Sequence, residues 1–296
     1  MTKELVLVHG RAQQGYDADK LKKKWIDSWK EGLKKCDPPL EIPIAEDKIR
    51  FPFYGDTLAG LENEVPLDEV AEVIVRGDDA SEAEQEFIRS IILDTLKENG
   101  VTEEQIQEMS GEQILERGPL NWEWMQTALK ALDYYVPYAS SAAVSIRTRD
   151  VYIYLNNPAV RKIINDGVEA AFNKDVETVV VGHSLGSVVA YDVLRNAGDA
   201  NGWKIPLYLT VGSPLAVTAI KEALRPIEAP SCVGKWFNAM DERDVVPLYT
   251  LDSINFNVSP SIENKTDVDN FTDNHHGIIG YLSDAEVAKR LYDALS

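Results

Sequence analysis

The chain has 296 residues, a formal net charge of −19 at neutral pH and 44% hydrophobic residues. That length suits one large domain, or two small ones, burying about three quarters of the unfolded surface. So acidic a surface favours solubility and repels phosphate backbones and anionic headgroups, so nucleic acid is not an expected partner.

Residues 4–8 form a short apolar run that ends at His9-Gly10, the signature of a buried strand. Residues 17–35 follow with Leu21, Trp25, Trp29 and Leu33 at a spacing of four, one apolar stripe on a lysine-rich helix. Residues 49–54 read as a second strand closed by Gly55-Asp56. From about 61 to 149 the chain turns strongly acidic, roughly −12 by itself, and looks helical. There Ser81 and Glu84 form a capping box ahead of Phe87, Ile88, Ile91 and Ile92. Residues 121–138 are rich in aromatics: Trp122, Trp124, Tyr134, Tyr135 and Tyr138.

After Asp150 helices and apolar strands alternate again. Asn157-Pro158 opens a helix carrying Val160, Ile163, Ile164, Val168 and Phe172. Strands are expected at 178–181, 205–211 and 233–240, and helices after Gly186, at 214–224 and at 283–295. This pattern predicts an α/β fold, a mostly parallel sheet flanked by helices. The acidic stretch at about 61–149 is then a helical, cap-like insertion in one domain spanning 1–296.

The strongest motif is Gly182-His183-Ser184-Leu185-Gly186, G-x-S-x-G between an apolar strand and an amphipathic helix. A sharp strand-to-helix turn projects the serine hydroxyl from the sheet, and Gly182 and Gly186 let strand and helix pass closely. The N–H groups opening the helix face any oxyanion formed there, which makes the Leu185 N–H an expected donor. A serine that merely caps a helix is the alternative.

A serine hydroxyl needs an adjacent base, and histidine titrates near neutral pH. His9 lies in the turn after the first strand, where a structural role is expected, and His183 sits inside the Ser184 turn. His275 and His276 lie beyond the last expected strand. Asp241, Glu242 and Asp244, in NAMDERDVVPL, offer a carboxylate to orient the base.

LVLVHGR, GHSLGSVVAYDVL, LTVGSPLAV, NAMDERDVVPL and NHHGIIGYL together resemble the α/β-hydrolase superfamily, its lipase- and esterase-like serine hydrolases in particular. The resemblance implies an eight-stranded, mainly parallel sheet and a triad in the order serine, acid, histidine. It implies Ser184 as nucleophile. His276, which fits His-x-x-x-Gly-Tyr-Leu, is the implied base, with His275 as the alternative. It implies Asp244 as the acid, with Asp241 as the alternative. It also implies an oxyanion hole completed by the N–H of Arg11, or of Ala12. The acidic insertion matches no motif of the family. In such relatives insertions often cap the active site, so Trp122, Trp124, Met125, Tyr134 and Tyr135 are candidates to line an acyl pocket or to pack the insertion onto the body.

No cofactor and no metal is expected. Asp267, Asp269 and Asp273 form an acidic loop, but Thr272 and Ile278 stand where a calcium loop needs glycine and an acid. Cys36 and Cys232 lack metal spacing and suggest free thiols in a reducing cytoplasm. The first residues lack the apolar run of a signal peptide, and no stretch approaches a membrane span, so no stable membrane insertion is expected. The expectation is a cytoplasmic serine hydrolase acting on a small-molecule or lipid carboxylic ester. Acyl transfer, thioester cleavage or peptidase activity would use the same residues. A non-catalytic binding protein of this fold is the other reading. The oligomeric state has no signature in the sequence.

Overall fold

The computed structural model describes residues 3–10, 17–54, 82–109, 122–137, 139 and 141–296. Its strands are β1 (Glu4–Val8), β2 (Ile49–Arg50), β3 (Thr178–His183), β4 (Tyr208–Val211), β5 (Trp236–Ala239) and β6 (Glu263–Lys265). They form one sheet in the order β2-β1-β3-β4-β5-β6, and every pairing is parallel. The α/β class and the parallel sheet agree with expectation. Among the described residues there are six strands rather than eight, and β6 has no counterpart among the expected elements.

The helices are α1 (Ala18–Lys34), α2 (Glu82–Glu98), α3 (Glu103–Glu108), α4 (Trp122–Tyr135), α5 (Ser141–Asn156), α6 (Pro158–Glu169), α7 (Leu185–Ala197), α8 (Thr218–Ala223), α9 (Ile278–Leu282) and α10 (Ala285–Leu295). Among the described residues no helix is long and apolar enough to cross a membrane.

Alternation along the strands divides the core in two. Val6, Val8, Val180, Tyr208 and Trp236 face a layer built from α5, α6, α7 and α8. Leu5, Leu7, Val179, Val181, Leu209 and Phe237 face α1, α9 and α10. Both faces are covered, so these strands are mostly apolar, and of their buried polar side chains the Thr210 hydroxyl donates to Asn238 Oδ1 at 2.8 Å. Helix α1 starts where Asp17 accepts the N–H groups of Asp19 and Lys20, and its stripe Leu21, Trp25, Trp29 and Leu33 is buried. The Trp29 indole N–H donates to Ala288 O at 3.0 Å, tying α1 to α10. In α6, Val160, Ile164 and Val168 are buried, while Ile163 is 57% exposed.

Three helices, α2 to α4, fall within the acidic stretch, and α5 begins in it and runs past its end to Asn156. Ile88, Ile92, Leu96, Met125, Leu129 and Leu132 make a core of their own there. Ile91 on α2 and Val151 and Tyr154 on α5 join the main core instead. The stretch is thus both self-packed and seated on the body. Ser81, the expected cap of α2, lies outside the described residues.

The strand order reverses between β1 and β3. In open parallel sheets the crevice outside the carboxyl ends of the strands, at such a switch point, is the usual ligand site. His9-Gly10 leaves β1 there, and Ser184 leaves β3.

Candidate active site

Ser184 joins β3 to α7 with φ 55° and ψ −130°, one of two non-glycine residues with positive φ among those described. Such a conformation costs about 1–3 kcal/mol and persists only where its surroundings enforce it. Here they do. A Cβ at Gly186 would overlap the carbonyl oxygens of Val8 and His9 and lie 2.7 Å from the His9 carbonyl carbon. A Cβ at Gly182 would lie 2.7 Å from Ser187 Cα. Both glycines of the motif are therefore required by close passage of α7 over β1 and β3. Ser184 stands at the N-cap of α7 but makes no side-chain capping bond, so capping does not account for its hydroxyl. Leu185 is the first helical residue, and its N–H belongs to the group left without an intrahelical acceptor.

His276 lies just before α9. Its Nδ1 is 2.6 Å from Asp244 Oδ2, and both residues are buried. A carboxylate only accepts, so Nδ1 carries the proton and Nε2 of the neutral ring holds the lone pair. That Nε2 is buried and has no hydrogen-bond partner. Burial holds the His276 pKa below its ordinary value. Asp244 opposes this with its charge and hydrogen bond, and the Arg147 charge adds to the lowering. At neutral pH the ring is therefore uncharged and able to take a proton.

Ser184 and His276 meet the same end of β4. The Ser184 N–H donates to Val211 O at 3.2 Å. A Cβ on the next residue, Gly212, would lie 3.0 Å from His276 Cε1. The Ser184 hydroxyl and His276 Nε2 are nevertheless not hydrogen-bonded to each other.

Asp244 is held from three sides. Its Oδ1 accepts the Val246 N–H at 3.0 Å, and its Oδ2 accepts both His276 and the Tyr281 hydroxyl, the latter also at 2.6 Å. The expected alternatives form a second network, joined to the first only where the Asp241 N–H donates to the Tyr281 hydroxyl at 3.3 Å among the described contacts. Asp241 is gripped by Arg243 through Nε at 3.0 Å and Nη2 at 2.7 Å, and it accepts the Asn270 N–H at 2.8 Å. Burial would raise the Asp241 pKa, but these donors outweigh it and hold it below the ordinary value. His275, with φ 53°, turns its Nδ1 to Asn270 O at 2.6 Å and lies 3.8 Å from Asp241 Oδ2.

The other two histidines are framework. His9 Nδ1–H donates to Gly10 O at 2.7 Å, and its Nε2 accepts the Tyr54 N–H at 3.1 Å. Its ring stacks on Tyr54 with centroids 4.1 Å apart. Burial lowers its pKa to about 4, against the raising effect of the Gly10 carbonyl. His183 Nε2–H donates to His276 O at 2.8 Å, so it holds the backbone of the base rather than the serine.

A cavity of about 40 Å³ opens on Ser184 and Leu185. Ile91, Val144, Val151, Val217, Ile220 and Val246 supply its apolar walls, and Arg147 and Thr148 join them. Helices α2 and α5 therefore cover the serine. Of the residues that were candidates to line a pocket or to pack the insertion onto the body, Trp124, Met125, Tyr134 and Tyr135 are not among the walls of this cavity. Met125 belongs to the separate helical core, Trp124 and Tyr135 pack against it, and Tyr134 is 74% exposed. The side chain of Trp122 lies outside the described residues, as do Arg11 and Ala12.

Two residues of this site carry no role in the sequence reading, Tyr281 and Arg147. Tyr281 had a signal, because a phenol on an otherwise apolar helix needs a polar partner once buried. Arg147 had one too, a charge within the stripe Val144, Thr148 and Val151.

Among the described residues, no group of three or more His, Cys, Asp or Glu side chains is arranged to hold a metal ion. Asp267 pairs with Lys265 and Asp269 with Arg243. Cys36 and Cys232 are free thiols. Comparison with protein-family models, curated proteins and solved structures finds no match to this chain.

Proposed function

We propose that this chain is a serine hydrolase of the α/β-hydrolase type that cleaves a carboxylic ester. The observation that carries the reading is the state of His276. Its Nδ1 is committed to Asp244, while its Nε2 is buried, unprotonated and unpartnered beside the Ser184 turn. The chain positions add support: serine after β3, acid after β5, histidine after β6.

Ser184 Oγ attacks the ester carbonyl while its proton passes to His276 Nε2. Asp244 keeps Nδ1 protonated and stabilises the imidazolium. The Leu185 N–H, aided by the dipole of α7, holds the oxyanion. The tetrahedral intermediate expels the alcohol, which takes the proton back from Nε2 and leaves an acyl-serine. His276 then takes a proton from water as the water oxygen attacks, and collapse releases the acid and restores Ser184. The Ser184–His276 hydrogen bond closes on substrate binding, as catalytic hydrogen bonds often do. Acyl transfer, thioester cleavage and peptide cleavage use the same steps with another acceptor or leaving group.

A second reading is a binding protein of this fold without turnover. It is favoured by the absence of a Ser184–His276 hydrogen bond and by a cavity that holds a few water molecules at most, since ester-sized ligands need roughly 300 Å³ or more. Hydrolysis requires α2 and α5 to yield that space.

Fluorophosphonate labelling read by intact mass separates the two. The expected result is one adduct on the wild type, none on Ser184→Ala or His276→Ala, and one on His275→Ala. No adduct on the wild type would sink the hydrolase reading.

A further inference from the structure

We propose that the acyl group passed to Ser184 is aliphatic and short, of about two to four carbons, so that this chain cleaves short-chain esters rather than long-chain lipids. The inference rests on the hydrolase reading and adds a substrate class to it.

The cavity at Ser184 and Leu185 sets the size. One water needs roughly 10–15 Å³ of such space, so about 40 Å³ holds about three waters. A methylene group fills about the room of one water, so about three carbons fit beyond the carbonyl that Ser184 attacks. Apart from Arg147, Ser184, Leu185 and Pro214, every described residue lining the cavity is valine, isoleucine or threonine. Side chains branched at Cβ are stiff at χ1, and on a helix valine and isoleucine hold essentially one rotamer. Ile91 stands on α2, and Val144 and Val151 stand on α5, so they do not swing aside as leucine or methionine would. The walls offer an acyl chain little that is polar. Thr148 returns its hydroxyl to Val144 O at 2.8 Å, and Arg147, the one charged residue among those described, is only half-buried.

The walls divide between two cores. Ile91, Val151, Val217 and Ile220 pack in the main core, with the sheet and α7. Val144 packs in the separate helical core, and Val245 packs against that core. The cavity therefore lies on the seam between them. When α2 and α5 yield, room is gained at that seam, on the Val144 and Val245 side. The side walled by the main core keeps its size, because moving Ile91 or Val151 would open a void in a close-packed interior. The chemistry assigns the two sides. The alcohol must leave and water must enter between acylation and deacylation, so both need the side that opens. The acyl group stays on Ser184 through both steps and takes the closed side.

The test is a series of p-nitrophenyl esters with straight acyl chains: acetate, butyrate, hexanoate and octanoate. For the wild type, kcat/KM is expected to peak at acetate or butyrate. Octanoate should fall below butyrate by about tenfold or more, the worth of a misfitting methylene in such a pocket. Val151→Ala and Val217→Ala each remove two methyl groups from the closed side and should raise the octanoate-to-butyrate ratio by about tenfold. Val151→Ile adds one methylene there and should lower it. A weakened fold lowers every ester together and does not move the ratio in opposite directions. A wild-type kcat/KM that peaks at hexanoate or octanoate, or one ratio shared by the wild type and all three variants, overturns the proposal. So does a wild type that takes a fluorophosphonate on Ser184 but turns over none of the four esters, which leaves the hydrolase reading standing. Absence of both adduct and turnover removes both.

Discussion

His275 and His276 are consecutive in the chain, yet they face different acids. His276 Nδ1 meets Asp244 Oδ2 at 2.6 Å, while His275 Nδ1 meets the Asn270 carbonyl at 2.6 Å and stands on the Asp241 side. The positive φ of His275 makes this divergence. His275 therefore braces the loop that presents His276. Replacing His276 with Ala should lower kcat by about 10⁴ to 10⁶, as in other triads, whereas His275→Ala should cost less than about tenfold. Kinetics on a p-nitrophenyl ester decide it, and the reverse ranking would overturn the assignment of the base.

The pH profile should follow His276. A base works only when neutral, and burial holds this ring's pKa below the ordinary histidine value of 6.5. The acid limb of kcat/KM should therefore fall below pH 6.5 rather than at it. A limb at or above that value would contradict the buried base.

Tyr281 positions Asp244 and shares its charge through the 2.6 Å bond to Oδ2. Tyr281→Phe leaves that oxygen wholly to His276, which favours the imidazolium. The acid limb should move to higher pH, and kcat should drop by about tenfold. A change in stability with no movement of the limb would mean that Tyr281 only fills space.

Gly186→Ala should destabilise the fold by about 3 kcal/mol or more, because its Cβ would overlap backbone carbonyl oxygens of Val8 and His9 that cannot turn aside. Urea denaturation measures it. A loss below about 1 kcal/mol would mean that β1 and α7 pass less closely than described.

Stability should fall as pH drops from 6.5 towards 4. His9 has its folded pKa lowered from 6.5 to about 4, so the unfolded chain binds the proton first and gains from it throughout that window. The ring cannot accept the proton without losing the Tyr54 N–H that points at Nε2. The shift corresponds to about 3 kcal/mol at full titration. Above pH 6.5 this contribution is complete. Loss of net negative charge on acidification acts in the opposite direction, so a urea midpoint that rises through the window would count against the His9 account.

Local features were legible because they are local. The Leu21, Trp25, Trp29 and Leu33 stripe, the Asn157 cap and the glycines around Ser184 each reflect chemistry within a turn or two of the chain. The sequence on its own determined the α/β alternation, the strained serine turn, and a short set of histidines and acids from which a base and an orienting carboxylate had to come. β6 was illegible because its residues, Glu263–Lys265, are polar, and only pairing with β5 at the sheet edge makes them a strand. Whether the aromatics near 121–138 line a pocket or pack the insertion stayed open because periodicity reports that a side chain is buried, not which of two cores receives it. Tertiary structure alone decided that His276 meets Asp244 and that His275 does not. It also decided that Tyr281 shares the same carboxylate oxygen, and that the stripe on α5 turns Arg147 towards Ser184. These contacts join segments brought together by strand order and helix packing, and no pattern along one element encodes the distance between two others.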